Sequence, residues 1–526
     1  MNTSLPVWCA PQRRLLDGMR AWTDQSIKHQ WQTPFQGIHD EGTFTTSWDS
    51  YHMLTGDAKI LEFMTWLRDG LADYVDQELF HGYYQKGEVH HQPEPFTHFA
   101  ARFRTLVPDD PTTARLLNDV AHHIGNWEDG VPDWYDWNNH RFISYRIGSV
   151  ELPDVPPFNY EEPDHFRLPM MAFVAYLTTG QSRYLDLCID YADRWAKKVL
   201  DHPIPNVVLF HDRPEFYDDI LKERAEKGLQ PRVELLLASG AVDLYLDLFH
   251  VTGDERYREV VERTIPTLVE TVADPRNRLS AATLAKYRRI SGKKEWDAGI
   301  MEQLPPVSDF QSRSEIDLLD LRDRDSLGRG PNPDGWPGHR VDQFRMGTVG
   351  SDGYPEESSE PTPPAWALAW AITGDDQYAA QAFGTAATRL ETAMRSLKDG
   401  REHGCAARTI SAVASGHGRD DRWGDVNSIL GPLTLGSVRF GGAETPAIEI
   451  GGGLPDQVSI LVSDQNRDAM LVTLANCSEA DIDIALSAIA NGSKPTAITL
   501  RPHDSTTVPL SQSLSDQLRF AVVDAA

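Results

Sequence analysis

Three loop-like stretches of this 526-residue chain hold most of the side chains able to move a proton or grip a polar ligand. In LFHGYYQKGEVHHQPEP, residues 79–95, Tyr84, Glu88, His90, His91 and Glu94 fall close together. Adjacent histidines on an extended segment point to opposite sides, so one of His90 and His91 would face a cleft. That histidine could act as a general base, bind sugar hydroxyls, or simply fix its own loop. In DWYDWNNHRFISY, residues 133–145, Trp134 and Trp137 offer flat apolar faces for stacking on a sugar ring. Asp136, Asn139 and His140 supply polar groups there, and a plain hairpin is the alternative reading. Carboxylates recur at three further places: Asp40 beside Glu41, Glu161 and Glu162 near Asp164, and Glu356 beside Glu357. Hydrolysis of a glycoside usually needs one protonated and one ionised carboxyl group on either side of the sugar. Partners of that kind should come from different loops, and any single acid could equally be a helix cap.

His165, Arg167, His211, Arg213 and Arg232 lie in or beside the same stretches, with Trp336 and Tyr354 inside the long connection 276–360. Arginine there could clamp a carboxylate or sulfate, although pairing with neighbouring acids is its commoner role. The expected catalytic set is therefore Glu94, His90, His91, His140, Asp136, Glu162 and Tyr84. The expected substrate contacts are Asp40, Trp134, Trp137, Asn139, His165, Arg167, His211, Arg213, Arg232, Trp336, Tyr354 and Glu357. No HExxH or CxxC pattern is present and the four cysteines are far apart, so neither a metal nor a cofactor is expected.

The elements that must position these groups are announced by a repeated phrase. YHMLTGDAKI at 51 returns as YLTTGQSRYL at 176, HVTGDERYRE at 250 and AITGDDQYAA at 371, each between two runs of helical spacing. Glycine suits the left-handed residue that ends a helix, and the following Asp can cap the next one. Gly56, Gly180, Gly253 and Gly374 leave gaps of 124, 73 and 121 residues. Two gaps near double the third predict a degenerate copy in each, the first at RTLVPDDPTTARLL (104–117), the second within 281–326. About six helical hairpins result. The first helix of each pair is the more apolar, as an inner ring sheathed by an outer ring would require.

On these turns and helix pairs, residues 10 to 435 resemble the (α/α)6-toroid enzymes of carbohydrate metabolism, glycoside hydrolases and polysaccharide lyases. Asn139 and His140 also look like part of the Asn-Asn-His motif of some toroid alginate lyases. The resemblance implies that this asparagine helps neutralise a uronate carboxylate beside a catalytic histidine, yet the aromatic residues following the motif are replaced by RFISY. After residue 437 the pattern changes to short alternating runs broken by Asn, Gly, Asp and Pro. The expected architecture is mainly α, a toroid over 1–436 followed by a small antiparallel β-sandwich over 437–526.

If the tight turns lie at one end of the barrel, the long connections lie at the other, and long loops in a compact domain usually serve function. A formal charge of −28, from 78 acidic against 50 basic residues, argues against nucleic acid and anionic membranes as main partners. No apolar run spans a bilayer and no secretory h-region opens the chain, so a cytoplasmic location is expected. The resulting expectation is an enzyme that cleaves glycosidic bonds in an oligosaccharide or polysaccharide, leaning to hydrolysis. Three alternatives stand beside it: a lyase using His or Tyr as base with Asn or Arg on the uronate, a sugar epimerase, and a non-catalytic helical scaffold. Oligomeric state is left open.

Overall fold

The computed structural model describes residues 5–30, 44–89, 92–155, 158–161, 163–201, 209–210, 237, 239–274, 278–307, 361–394, 424–466, 469–489, 494–511, 514 and 517. Asp40, His90, His91, Glu162, His211, Arg213, Arg232, Trp336, Tyr354 and Glu357 lie outside the described residues.

The chain is mainly helical, with small antiparallel sheets. In order, α1 spans Cys9–His29, α2 Trp48–Thr55, α3 Ala58–Glu78, α4 Ala101–Leu106 and α5 Pro111–His122. They are followed by α6 (Arg167–Thr179), α7 (Ser182–Asp201), α8 (Ala241–Thr252), α9 (Glu255–Glu270), α10 (Arg278–Ser291) and α11 (Asp297–Gln303). The last are α12 (Pro363–Thr373), α13 (Asp376–Met394) and α14 (Leu430–Leu435). A π-helix, Pro95–Ala100, leads directly into α4.

The Thr-Gly-Asp phrase is a stop and a restart held by three local devices. Gly56, Gly180, Gly253 and Gly374 all adopt positive φ, between 66° and 71°. The threonine hydroxyl donates to the carbonyl four residues back, Thr252 to Leu248 O at 2.7 Å and Thr373 to Ala369 O at 2.8 Å. The same oxygen accepts the N–H of the residue after glycine, Asp254 at 3.1 Å and Asp375 at 3.2 Å. Those aspartates then cap the next helix, accepting from Arg256 N at 2.9 Å and Gln377 N at 3.0 Å. Asp110 caps α5 in the same way, accepting from Thr113 N at 2.7 Å, so the degenerate copy at 104–117 also starts a helix. The copy sought within 281–326 is Ser291-Gly292-Lys293: Gly292 has φ 71°, and Ser291 Oγ donates to Tyr287 O and accepts from Lys293 N. Serine replaces threonine there at no cost, because only the hydroxyl is used.

Packing follows the pairing. Along α6, every residue from Arg167 to Ala175 is buried, and along α8 every residue from Ala241 to Phe249. Outer helices such as α7 and α9 bury one face only. Helix contacts run in a closed order: α1 on α13, α13 on α12, α12 on α10, α10 on α9, α9 on α7, α7 on α6, α6 on α5, α5 and α4 on α3, and α3 back on α1.

Strands occupy the last part of the chain. Ile448–Gly451, Ile482–Ala488 and Thr496–Leu500 form one three-stranded antiparallel sheet. Val458–Asn466, Ala469–Asn476 and Ser505–Ser511 form another, with Val472 opposite both Val462 and Val508. A short hairpin, Val438–Phe440 with Ala443–Thr445, precedes them. Its tip enters the turn end of the helices: Gly441 N donates to Asp247 Oδ2 at 2.9 Å, and Phe440 stacks on His250 at 5.5 Å. A Cβ on Gly441 would fall 2.9 Å from the Val174 side chain, so the tip can be no bulkier. The turn end is thereby packed against this hairpin.

Candidate functional site

Arg167 opens α6 at the end opposite the turns, and Glu94 immediately precedes the π-helix. Their side chains meet at 2.8 Å, Arg167 Nη1 to Glu94 Oε1, and each is only 1% exposed. Arg167 Nε also reaches Asp164 Oδ1 at 3.4 Å, and Asp164 keeps 22% of its side chain open. One guanidinium thus gathers two carboxylates, one sealed and one accessible. Buried ions of this kind persist only when paired and hydrogen-bonded. The π-helix beside them widens the helical turn, a departure common at functional sites.

Asp164 sits in a 3-10 turn, Pro163–Phe166, that also fixes His165. His165 Nε2 lies 3.1 Å from Ser144 O, and since a carbonyl can only accept, Nε2 carries the proton. Glu161 is buried, accepting from Phe142 N at 2.9 Å and pairing with Arg194. Tyr145 and Tyr160 stack with centroids 5.1 Å apart and planes 10° from parallel, and Tyr145 is 6.3 Å from His165. Both rings are half-buried. A carboxylate with 22% of its side chain exposed, a buried histidine and an aromatic pair are therefore neighbours in one cluster.

The expected residues divide into groups. Glu94, Arg167 and His165 belong to this cluster, and all three are buried. Tyr84 is half-buried beside Tyr74, its backbone carbonyl accepting from Ser149 N. His140, Asp136, Asn139 and Trp137 come together elsewhere, on the outer helix α7. His140 Nδ1 lies 2.7 Å from Asp190 Oδ1, and Tyr135 donates to Asp190 Oδ2 at 2.6 Å. Burial, reinforced by Asp190, raises the Tyr135 phenol far above its ordinary value. Asn139 donates to Asp136 Oδ2 at 2.6 Å, the first of several bonds that hold the Asp136 carboxyl below its usual range. This Asn-Asn-His run is thus a local turn laid on a helix, because the hairpin Tyr135–Asp136 with Arg141–Phe142 buries Tyr135 and Phe142 against Tyr191.

The expectation of a stacking face at Trp134 is corrected. Trp134 is fully buried, edge-on to Tyr83 at 4.2 Å and His123 at 4.4 Å, with Nε1 donating to Gly148 O. Trp137 is 38% exposed, but its indole lies against Tyr135 and Trp127 on the outer face.

Sequence reasoning also passed over a charged cluster between inner helices. Lys286 Nζ lies 3.2 Å from Asp243 Oδ1 and 2.8 Å from Asp247 Oδ1. Burial pushes Asp247 up to about 6 against the opposing pull of Lys286. Its bond to Gly441 N makes Asp247 part of the seam with the hairpin. The i, i+4 spacing of the two aspartates was the available signal. Asp164 and Arg167, at i, i+3, left a similar one, whereas nothing local ties Tyr145 to Tyr160 or Asp190 to His140. Among the described residues no group of three or more His, Cys, Asp or Glu side chains is placed to hold a metal, and no helix is long and apolar enough to cross a membrane.

No protein-family profile and no curated protein matches the chain. A solved structure that does match is described as an unsaturated glucuronyl hydrolase specific for heparin. It is 12% identical, with a TM-score of 0.38 over 70% of this chain and 96% of the other. The functional reading therefore rests on the chain's own side chains.

Proposed function

We propose that this chain hydrolyses glycosidic bonds in an oligosaccharide or polysaccharide bound at the Glu94, Arg167 and Asp164 entrance. The observation that carries this reading is the accessible Asp164 held on a buried Arg167 beside the stacked pair Tyr145 and Tyr160. Sugar sites combine flat apolar rings with a few fixed polar groups, and glycoside cleavage needs carboxyl groups at the reacting centre. Asp164 presents a carboxylate to the sugar, Arg167 orients it, and Glu94 locks Arg167. Glu162 and Glu357, outside the described residues, are the candidates for the second carboxyl group. The closed order of helix contacts supports reading 1–436 as the (α/α)6 toroid, and the two three-stranded sheets support a β-sandwich over 437–526.

Hydrolysis is preferred to β-elimination because two histidines suited to act as the base are engaged: His140 with Asp190 on α7, and His165 through its Nε2 proton with Ser144 O. The test is incubation of the purified chain with neutral and uronate-containing oligosaccharides, read by product mass and ultraviolet absorbance. Products heavier by one water, without new absorbance, are expected. Absorbance from an unsaturated uronate, with no water taken up, would replace hydrolysis by elimination.

A further inference from the structure

The sequence sets the four cysteines far apart, and the fold brings two of them together where α1 meets the strands. Gln12 docks α1 on the edge strand Val458–Asn466, donating to Ile460 O at 2.5 Å and accepting from Ile460 N at 2.9 Å. Cys9, one turn earlier on the same helix face, is buried. Its carbonyl accepts from the Ser459 hydroxyl at 3.5 Å. Cys477 follows the strand Ala469–Asn476, and its N–H donates to Gln457 O at 2.8 Å, carrying the pairing one residue beyond Val458 and Asn476. Side chains alternate along a strand, so Ser459 and Cys477 stand on one face as diagonal neighbours. Cys9 lies over that face, its thiol hydrogen-bonded with both the Ser459 hydroxyl and the Cys477 thiol.

The two thiols differ in a way that orders their chemistry. The thiolate is the nucleophile of disulfide exchange, and a small disulfide must also be able to reach it. Burial pushes the Cys9 thiol up to about 12, and the neighbouring Cys477 adds to the rise, so Cys9 stays protonated and inert while Cys477 is reduced. Cys477 is only partly buried and stands where its strand ends, which makes it the sulfur that an incoming disulfide meets first. Cys188, by contrast, is sealed between α6 and α7, its thiol donating to Pro169 O at 3.0 Å.

We propose that Cys9 and Cys477 are a redox-active pair that closes a disulfide between α1 and the strands by exchange with a low-molecular-weight disulfide. The Cys477 thiolate attacks one sulfur of the small disulfide and breaks its S–S bond, and the departing thiolate takes up the proton that Cys477 released. Cys9, no longer held protonated by a Cys477 thiolate, then releases its own proton and attacks the Cys477 sulfur. The second small thiolate leaves with that proton. Two protein thiols are oxidised, and one small disulfide is reduced to two thiols. The bridge restricts the unfolded chain, and the restriction grows with the length of the loop it closes. Nothing in this exchange depends on glycoside cleavage.

The test is incubation of the purified full chain with glutathione disulfide, followed by nonreducing peptide mass mapping and Tm. The parent chain is expected to lose two hydrogens, to yield a peptide pair linked through Cys9 and Cys477, and to melt a few degrees higher, all reversed by dithiothreitol. Cys9→Ser should stop at one glutathione held on Cys477, and Cys477→Ser should take up none at Cys9. An unmodified parent, a parent that holds glutathione on Cys477 without closing the bridge, an adduct at Cys9 in Cys477→Ser, or an unchanged Tm in the bridged chain overturns the proposal. A bridged chain that cleaves no oligosaccharide, reduced or oxidised, upholds it while sinking the hydrolase reading.

Discussion

Glu94 and Arg167, 73 residues apart in the chain, face each other across 2.8 Å with neither side chain more than 1% exposed. Removing one partner strands a charge in a dry environment, so Arg167→Leu is expected to lose about 3–5 kcal/mol of stability. Glu94→Gln, which can still accept from the guanidinium, should lose about 1–2 kcal/mol. Urea midpoints of the two variants against the parent chain measure this, and equal losses would show that the ion pair is not what holds the entrance.

Asp164 and His140 separate activity from architecture. Asp164→Asn is expected to reduce kcat on the cleaved oligosaccharide by about 10²–10⁴-fold at nearly unchanged Tm, the scale of a lost acid or base. His140→Ala, on the outer face of α7, should retain kcat within about twofold, because surface changes remote from the chemistry shift stability by no more than about 0.5 kcal/mol. A dead His140→Ala beside an active Asp164→Asn would move the site to Asp190.

His123 should make the fold sensitive to acid. It is fully buried, its Nε2 lies 2.9 Å from Pro132 O, and Nδ1 has no hydrogen-bond partner. Burial pushes its pKa down from 6.5 to about 4. A base whose pKa is depressed on folding contributes stability above its unfolded pKa and loses it as pH falls towards the folded value. The window is therefore pH 6.5 down to about 4, and the loss is about 3 kcal/mol. Denaturant midpoints across that range should fall less steeply in His123→Gln, which keeps the donor to Pro132 O. Parallel pH profiles would remove His123 from the account.

Two glycines at positive φ should respond differently to alanine. Gly374, φ 71°, has open space where a Cβ would sit, so Gly374→Ala should lose about 1–2 kcal/mol for the left-handed conformation alone. At Gly453, φ 81°, the added Cβ would fall 2.0 Å from the carbonyl oxygen of Thr55. The loop must then retreat from the end of α2, and a loss above about 3 kcal/mol is expected. Thermal unfolding of both variants checks the difference.

The helical hairpins were legible because their signals act within a few residues. A glycine at positive φ, a hydroxyl reaching four residues back and an aspartate capping two or three residues ahead do not depend on the rest of the molecule. The sixth copy was harder to find because Ser291 and Lys293 keep the geometry while changing the letters. Alternation likewise announced the strands after 437. Which loop residues meet was decided only in three dimensions. His140 and Glu94 looked equally suited to chemistry, yet Asp190, 50 residues away, holds one on an outer helix, while Arg167 buries the other at the entrance. Trp134 looked like an open ring and is packed between Tyr83 and His123. The physical reason is range: helix caps and turns are satisfied by neighbours in sequence, whereas a loop side chain takes its partner from whichever element the packing of distant helices brings within about 3 Å.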